Sequence, residues 1–360
     1  MKFSVAAEIF TLALNTASRA TARRTTIPIL SHFLLRAQKG SLSVAASDTE
    51  IACQLAVPAA VKAEGAVALP ADKLSLIAKA FTGSIMEFST QDNFTVIACP
   101  GSSFRLHGLK PENFPAWPQM EEPLASLPVA ALNSALAQAA IALGDEAGTR
   151  YALNAVLMDE GIMVSCTGHR LCMIAVDWAR NIKKMLIPTK AVHFLTEIFT
   201  GGILEVGRSA GHLFFRGPGC EMVARRTEGQ FPDYRSVIPA EEKIVVLGKF
   251  SSTSLLTALE RALIVTENRG QSEATPHLVE MIFADNRLTL HAASATGHYE
   301  ENCSVQARGQ MKVFFNAMFW LDFLRLHRDT TVTFALTAAD GVARLVVGEH
   351  TYLLMPSKKT

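Results

Sequence analysis

A histidine and an arginine stand side by side in the run TGHRL at 167–171, and this pair is the part of the chain most suggestive of chemistry. An imidazole can take up a proton near neutral pH, and a guanidinium can hold an anion. Catalysis would need more, because an orienting acid or a nucleophile must converge on the histidine. Asp177 follows His169 by eight residues, but in an alternating strand a buried face separates the two positions. Cys166 and Cys172 flank His169, yet that spacing matches no zinc pattern. The sequence contains no C-x-x-C, H-E-x-x-H, phosphate-loop or G-x-G-x-x-G motif. An α+β enzyme using His169 and Arg170 therefore stays open as one reading, with a core or turn histidine as the plainer one.

The 360 residues are 49% hydrophobic and 19% charged, with a formal net charge of +1. Such a chain has room for two or three domains with separate cores, and its composition excludes a disordered protein. No run approaches the ~20 apolar residues of a membrane helix. Residues 5–14 are apolar, but Glu8 interrupts them and no signal-peptide pattern results. The six cysteines, at 53, 99, 166, 172, 220 and 303, lie far apart, and the first four sit in strand-like apolar runs. Buried reduced thiols in a cytoplasmic protein, with no metal or other cofactor, are the expectation.

The chain that holds these residues repeats itself three times. Apolar residues at helical spacing open each copy. Residues 5–20 place Ile9, Leu12 and Ala13 on one face with Thr16 following; 129–144 place Leu132, Leu136, Ala139 and Leu143; 250–265 place Leu255, Leu259, Ala262 and Leu263. The starts are 124 and 121 residues apart. An alternating strand then runs into a polar turn: LSVAASDTE from Leu42, MVSCTGHRL from Met163, LTLHAASATGH from Leu288. Next comes an apolar run opening a second helix, in VALPADKLSLIAKAF, MLIPTKAVHFLTEIF and KVFFNAMFWLDFLRL. Pro70 and Pro188 hold the same place, Asn316 stands near it in the third copy, and Asp72 and Thr189 suit N-cap roles. Closing strands follow at Phe104, Glu221 and Tyr352, and the first two copies continue into matching linkers, ENFPAWP at 112–118 and GQFPDYRSVIP at 229–239. The period predicts an α+β fold of three domains, 1–120, 121–243 and 244–360, each with two amphipathic helices packed on β-sheets. Such an array satisfies its sheet edges as an open filament or as a closed ring.

At this point the residues resemble a known family, the beta subunit of bacterial DNA polymerase III, the DNA sliding clamp. MKFSV at the start, TIPILSHFLL at 26–35, RYALNAVL at 150–157, TGHRL at 167–171, QFPDYRSVIP at 230–239 and YLLMP at 352–356 carry the resemblance, which spans essentially the whole chain. Three departures mark a divergent member. Thr167 stands where the family usually has aspartate, Ser236 stands where it has arginine, and the chain ends in MPSKKT.

The resemblance implies that two three-domain chains close head to tail into a ring around duplex DNA and catalyse nothing. It implies a homodimer interface with Phe104 and Leu106 on one side and Ile264 and Val265 on the other, assisted by Arg105 and the Glu300–Glu301 pair. It implies a pocket for short linear motifs of the DNA polymerase III alpha subunit, the clamp loader and repair polymerases. Carried over position by position, that pocket comprises Tyr151, Leu153, Thr167, Gly168, His169, Arg170, Leu171, Pro232, Val237, Phe319, Leu353, Leu354, Met355 and Pro356. Arg24 and Lys190 match positions facing DNA; Arg19 and Arg23 cluster with Arg24. Residues 1–120 carry 11 basic and 8 acidic side chains, a weak asymmetry that suits loose phosphate contact better than sequence-specific binding. A DNA-binding repeat protein that does not close is the remaining alternative.

Overall fold

The computed structural model describes residues 1–22, 24–92, 94–144, 151–266, 277–284 and 286–358; Arg23 of the expected basic cluster lies outside them. Six α-helices occur among the described residues: α1 (Ala7–Ala17), α2 (Ala71–Ala80), α3 (Val129–Ala139), α4 (Thr189–Ile198), α5 (Ser252–Val265) and α6 (Ala317–Leu326). They fall where the repeated apolar runs predict them. In α1 the buried stripe is Ala7, Phe10, Ala13, Leu14 and Ala17. This corrects the expected face, because Ile9 and Leu12 are 45% and 64% exposed. The large Phe10 ring, edge-on to Phe88 at 5.5 Å, fixes which side of the helix turns inward.

The helix starts also differ from expectation in the first two copies. Pro70, not Asp72, is the N-cap of α2; Asp72 stands in the first turn, where a carboxylate still complements the helix dipole. Thr189 likewise lies inside its helix, as the first residue of α4, and is not its N-cap. Asn316 caps α6, its side chain accepting from Met318 N at 2.9 Å.

The chain folds into two compact units, residues 1–133 with 190–226 and residues 134–189 with 227–360. The first holds two sheets. A five-stranded sheet runs in the order Ala60–Ala63, Lys2–Ala6, Ile85–Gln91, Phe94–Cys99, Ser102–His107. An eight-stranded sheet runs Glu122–Pro128, Ile203–Arg208, His212–Gly217, Cys220–Arg225, Ile51–Pro58, Ser41–Ser47, His32–Gln38, Gly65–Pro70. The second unit holds a nine-stranded sheet, Met185–Pro188, Ala155–Asp159, Ile162–Cys166, Arg170–Ala175, His350–Leu354, Ala343–Val347, Thr331–Leu336, Val246–Ser251, Gln306–Arg308. Its four-stranded sheet runs Gly297–Ser304, Arg287–Ser294, Leu278–Ala284, Met311–Asn316. In each large sheet a closing strand of one sequence copy pairs with the polar-turn hairpin of another: Cys220–Arg225 with Ile51–Pro58, and His350–Leu354 with Arg170–Ala175. Helices α1 and α2 pack together in the first unit, and α5 and α6 in the second. The apolar layer between helices and strands is filled by rings such as Phe3, Phe88, Phe315 and Trp320. All six cysteines lie on strands and none is in a disulfide.

Candidate functional site

Three pieces of the second unit build a groove. The first is the turn between Ile162–Cys166 and Arg170–Ala175. The Thr167 hydroxyl accepts from His169 N at 3.2 Å and Arg170 N at 3.3 Å, and Thr167 N donates to Arg170 O at 2.8 Å. A side-chain oxygen bonded to the backbone two and three residues on fixes such a turn, so Thr167 supplies what an aspartate would. The second piece is His350–Leu354, which sets Leu353 opposite Leu171 and Leu354 opposite Arg170, with Met355 N donating to His169 O at 2.8 Å. The third is the aromatic–proline linker, held where Ala152 N donates to Gln230 O at 3.1 Å and where Ser236 Oγ donates to Asp233 O at 2.7 Å.

Because strand side chains alternate, Cys166, Leu171 and Leu353 share a face and pack with Leu157, Val164 and Tyr234 in one buried cluster. Above this floor opens a cavity of about 350 Å³, a volume suited to a few peptide side chains. Tyr151, Leu153, Thr167, Gly168, His169, Arg170, Leu171, Pro232, Val237, Leu353, Leu354 and Met355 line it. Tyr151, Val237 and Met355 on the rim are 41%, 47% and 41% exposed, an apolar lip of the kind that marks interaction surfaces. Burial raises the Cys166 thiol to about 11, so it stays a neutral apolar wall at physiological pH.

Phe319 and Pro356 do not line the cavity. Phe319 backs the wall instead: the Arg170 guanidinium carbon lies 4.6 Å from its ring centroid, and the His169 ring stacks on it at 6.4 Å. Past Pro356 the chain departs, with Ser357 N donating to Phe314 O at 2.8 Å. Cys166, Asp233, Tyr234 and Val342 are lining residues that sequence reasoning missed. Asp233 and Tyr234 stand inside FPDYR, where the motif offered the signal. Val342 precedes a strand in a run with no motif, and only the fold brings it there.

Arg170 donates to Asp322 of α6 at 2.6 Å, a half-buried charge pair that fixes the guanidinium over Phe319. Asp177 bonds Arg180 at 2.6 Å and is not the partner of His169. Cys172, on the opposite face of its strand from Leu171, meets His350 Nε2 at 2.9 Å, and His350 Nδ1 meets His327 Nε2 at 2.7 Å. Burial, reinforced by His327, lowers His350 to about 3; burial also lowers His327 and pushes the Cys172 thiol up. The Cys166, His169 and Cys172 side chains thus have three separate environments.

The residues expected to face DNA gather in the first unit. Arg19, Arg24, Asp48 and Lys190 surround a wide recess of about 470 Å³. Lys190 is bonded to Asp48 and, at 3.1 Å, to Glu50. Burial works against its charge, but these two carboxylates outweigh it and hold the lysine above its ordinary pKa. Arg19 pairs with Glu197, and Arg24 is exposed.

The expected interface residues lie at element edges. Phe104 and Leu106 are half-buried on Ser102–His107, the outer strand of the five-stranded sheet. Ile264 is 82% exposed at the end of α5, with Val265 half-buried beside it. Arg105 lies over the Phe94 ring at 3.4 Å. Glu301 is held within its own unit by Arg261 at 2.7 Å and by Tyr299, and Glu300 lies 3.6 Å from His291.

Open-edged antiparallel sheets backed by paired helices, with a preformed apolar groove, define a clamp-fold protein. A sliding clamp from Bacillus subtilis superimposes with a TM-score of 0.91 at 21% identity over the whole of both chains. One from Bartonella birtlesii, solved bound to griselimycin, gives 0.91 at 24% identity, again over both whole chains. Residues 1–118 match the model of the DNA polymerase III beta subunit N-terminal domain, and residues 235–356 match that of its C-terminal domain. The beta sliding clamp of Streptomyces coelicolor is 28% identical over 342 residues, 90% of this chain and 88% of that one. The chain belongs to the DNA polymerase III beta subunit family, of which it is a divergent member.

Proposed function

We propose that this chain acts as a DNA sliding clamp in which a head-to-tail homodimer of three-domain chains (1–120, 121–243, 244–360) encircles duplex DNA and captures partners through the groove at Leu171 and Leu353. The observation that carries the reading is the groove itself: an apolar floor, an exposed apolar lip and backbone on three sides, the chemistry that short linear motifs need. Partners in this reading are the DNA polymerase III alpha subunit, the clamp loader and repair polymerases. The griselimycin-bound relative fits a ligand-ready surface on such a protein.

Ring closure follows from the edges. Ser102–His107 in one unit and Gly297–Ser304 in the other are outer strands with unpaired backbone on one side, and a second copy of the chain covers both. Phe104, Leu106, Ile264 and Val265 supply the apolar contact. Arg24, Lys190 and Arg19 supply loose phosphate contacts. Because carboxylates already hold two of these three cations, DNA competes for them and retention comes from topology. His169 and Arg170 act as groove wall, with no substrate turned over, and the unpaired thiols suit the cytoplasm.

The test is retention on DNA. Protein loaded on nicked circular DNA is expected to stay through a wash at moderate salt and to leave once the DNA is linearised. Equal retention on circular and linear DNA, falling steeply with salt, would refute encirclement and point to direct electrostatic binding.

A further inference from the structure

Two seams inside the chain show how one sequence copy joins another, and the strands of a third seam stand open. At the first, the closing strand Cys220–Arg225 pairs with Ile51–Pro58, which follows a polar turn; at the second, His350–Leu354 pairs in the same way with Arg170–Ala175. The remaining closing strand, Ser102–His107, and the remaining strand after a polar turn, Gly297–Ser304, are each outermost in their sheets. Joined at these edges, the five-stranded and four-stranded sheets would hold as many strands as the nine-stranded sheet of the second unit. The order would match as well, with the short strand Ala60–Ala63 at the end where Gln306–Arg308 stands in that sheet.

Two kinds of hairpin fix which residues correspond. In each polar turn the side-chain oxygen of the first residue accepts from the backbone two residues on: Asp48 from Glu50 N at 3.0 Å, Thr167 from His169 N at 3.2 Å, Ser294 from Thr296 N at 3.2 Å. The first residue of each turn closes on the fourth, so Ile51, Arg170 and Gly297 hold one place. Each closing strand follows a two-residue loop, in which Gly217 pairs with Cys220, Val347 with His350 and Cys99 with Ser102. Ala224, Leu354 and Leu106 therefore also hold one place, four residues on. At both internal seams the two places meet, Ala224 opposite Ile51 and Leu354 opposite Arg170, with Val223 opposite Ala52 and Leu353 opposite Leu171 beside them.

We infer that a second copy of the chain closes the third seam antiparallel and in this same register: Leu106 opposite Gly297 of the partner subunit, Arg105 opposite the partner's His298, and Phe104 opposite the partner's Tyr299. The inference rests on reading the chain as a head-to-tail homodimer. Side chains agree with it. A Cβ on Gly297 would lie 3.9 Å from Val265 Cγ1, so the bare glycine leaves Leu106 room to reach that valine. Phe104, edge-on to Phe81 at 5.9 Å, gains a cross-strand aromatic partner in Tyr299. Arg105 meets no carboxylate directly opposite, and its guanidinium keeps its place over Phe94. A slip of two residues would set Arg105 opposite Glu300, but it would also set Phe104 against Glu301, which Arg261 already holds at 2.7 Å. An exposed ion pair is worth too little to outweigh the lost apolar contact, and a slip of one residue would turn every side chain to the wrong face.

Paired cysteines read the register. Residues directly opposite have Cα atoms about 4.5–5.5 Å apart, within the range of about 4.4–6.8 Å that a disulfide spans, whereas residues offset by two are about 7–8 Å apart and outside it. The full-length protein carrying Arg105→Cys and His298→Cys, oxidised with diamide, is expected to run as a covalent dimer on a denaturing gel. Ser103→Cys with Glu300→Cys, also directly opposite in this register, is expected to do the same. Arg105→Cys with Glu300→Cys is expected to stay single-chain, and each single variant gives the background from the native thiols. Cross-linking of the Arg105–Glu300 pair above that background would overturn the register. So would the absence of cross-linking in all three pairs while light scattering shows a dimer. A monomer by light scattering is the separate failure of the homodimer reading, and the register falls with it.

Discussion

Acidification should unlock the second unit through His350. This imidazole is 2% exposed and bridges Cys172 and His327 at 2.9 and 2.7 Å. Burial lowers its pKa from 6.5 to about 3. The unfolded chain therefore binds a proton that the folded chain refuses, so stability is complete above about pH 6.5 and declines as pH falls toward 3. One pH unit corresponds to 1.36 kcal/mol, so this residue withdraws about 2 kcal/mol by pH 5 and about 4 kcal/mol by pH 3. His327, also lowered by burial, acts in the same direction. Urea unfolding of the second unit, followed through the fully buried Trp320 at pH 7 and pH 5, measures the loss. His350→Gln keeps hydrogen-bonding groups without the titration, and its loss over the same interval should be smaller by about 2 kcal/mol. An equal loss in both proteins would refute the assignment of the proton to His350.

Met355→Ala should weaken a labelled glutamine–leucine–phenylalanine peptide about thirtyfold, the ~2 kcal/mol of a buried anchor contact, with stability nearly unchanged because Met355 is 41% exposed. Leu171→Ala should weaken the peptide similarly but also cost about 2–5 kcal/mol of stability, since Leu171 is 5% exposed and belongs to the groove-floor cluster. Unchanged anisotropy titrations in both variants would reject the pocket. Light scattering should report about twice the chain mass of 39.0 kDa, and Leu106→Glu on the outer strand should return the monomer mass; a monomeric unaltered protein at micromolar concentration would refute edge closure.

The places of the six helices and most of the groove were legible in the residues alone. Helix faces, polar turns and aromatic–proline linkers are local patterns, and three copies in one order leave little freedom. TGHRL, FPDYR and YLLMP each hold neighbouring residues on one short piece of backbone, so their spacing was legible without coordinates. Local pattern failed where two stripes competed: in α1 the Ile9–Leu12 face looked as apolar as the Phe10 face, and packing of the Phe10 ring against Phe88 decided between them. Tertiary structure alone decided the long-range pairings. Arg170 reaches Asp322 across 152 residues, Lys190 reaches Asp48 across 142, and Cys172 meets His350 across 178. Partners so far apart leave no periodic or compositional trace, because each needs only to arrive at one point on a sheet. The register that sets Leu353 opposite Leu171 and Val223 opposite Ala52 is fixed in the same way, by strands from different thirds of the chain pairing edge to edge, which no single segment encodes.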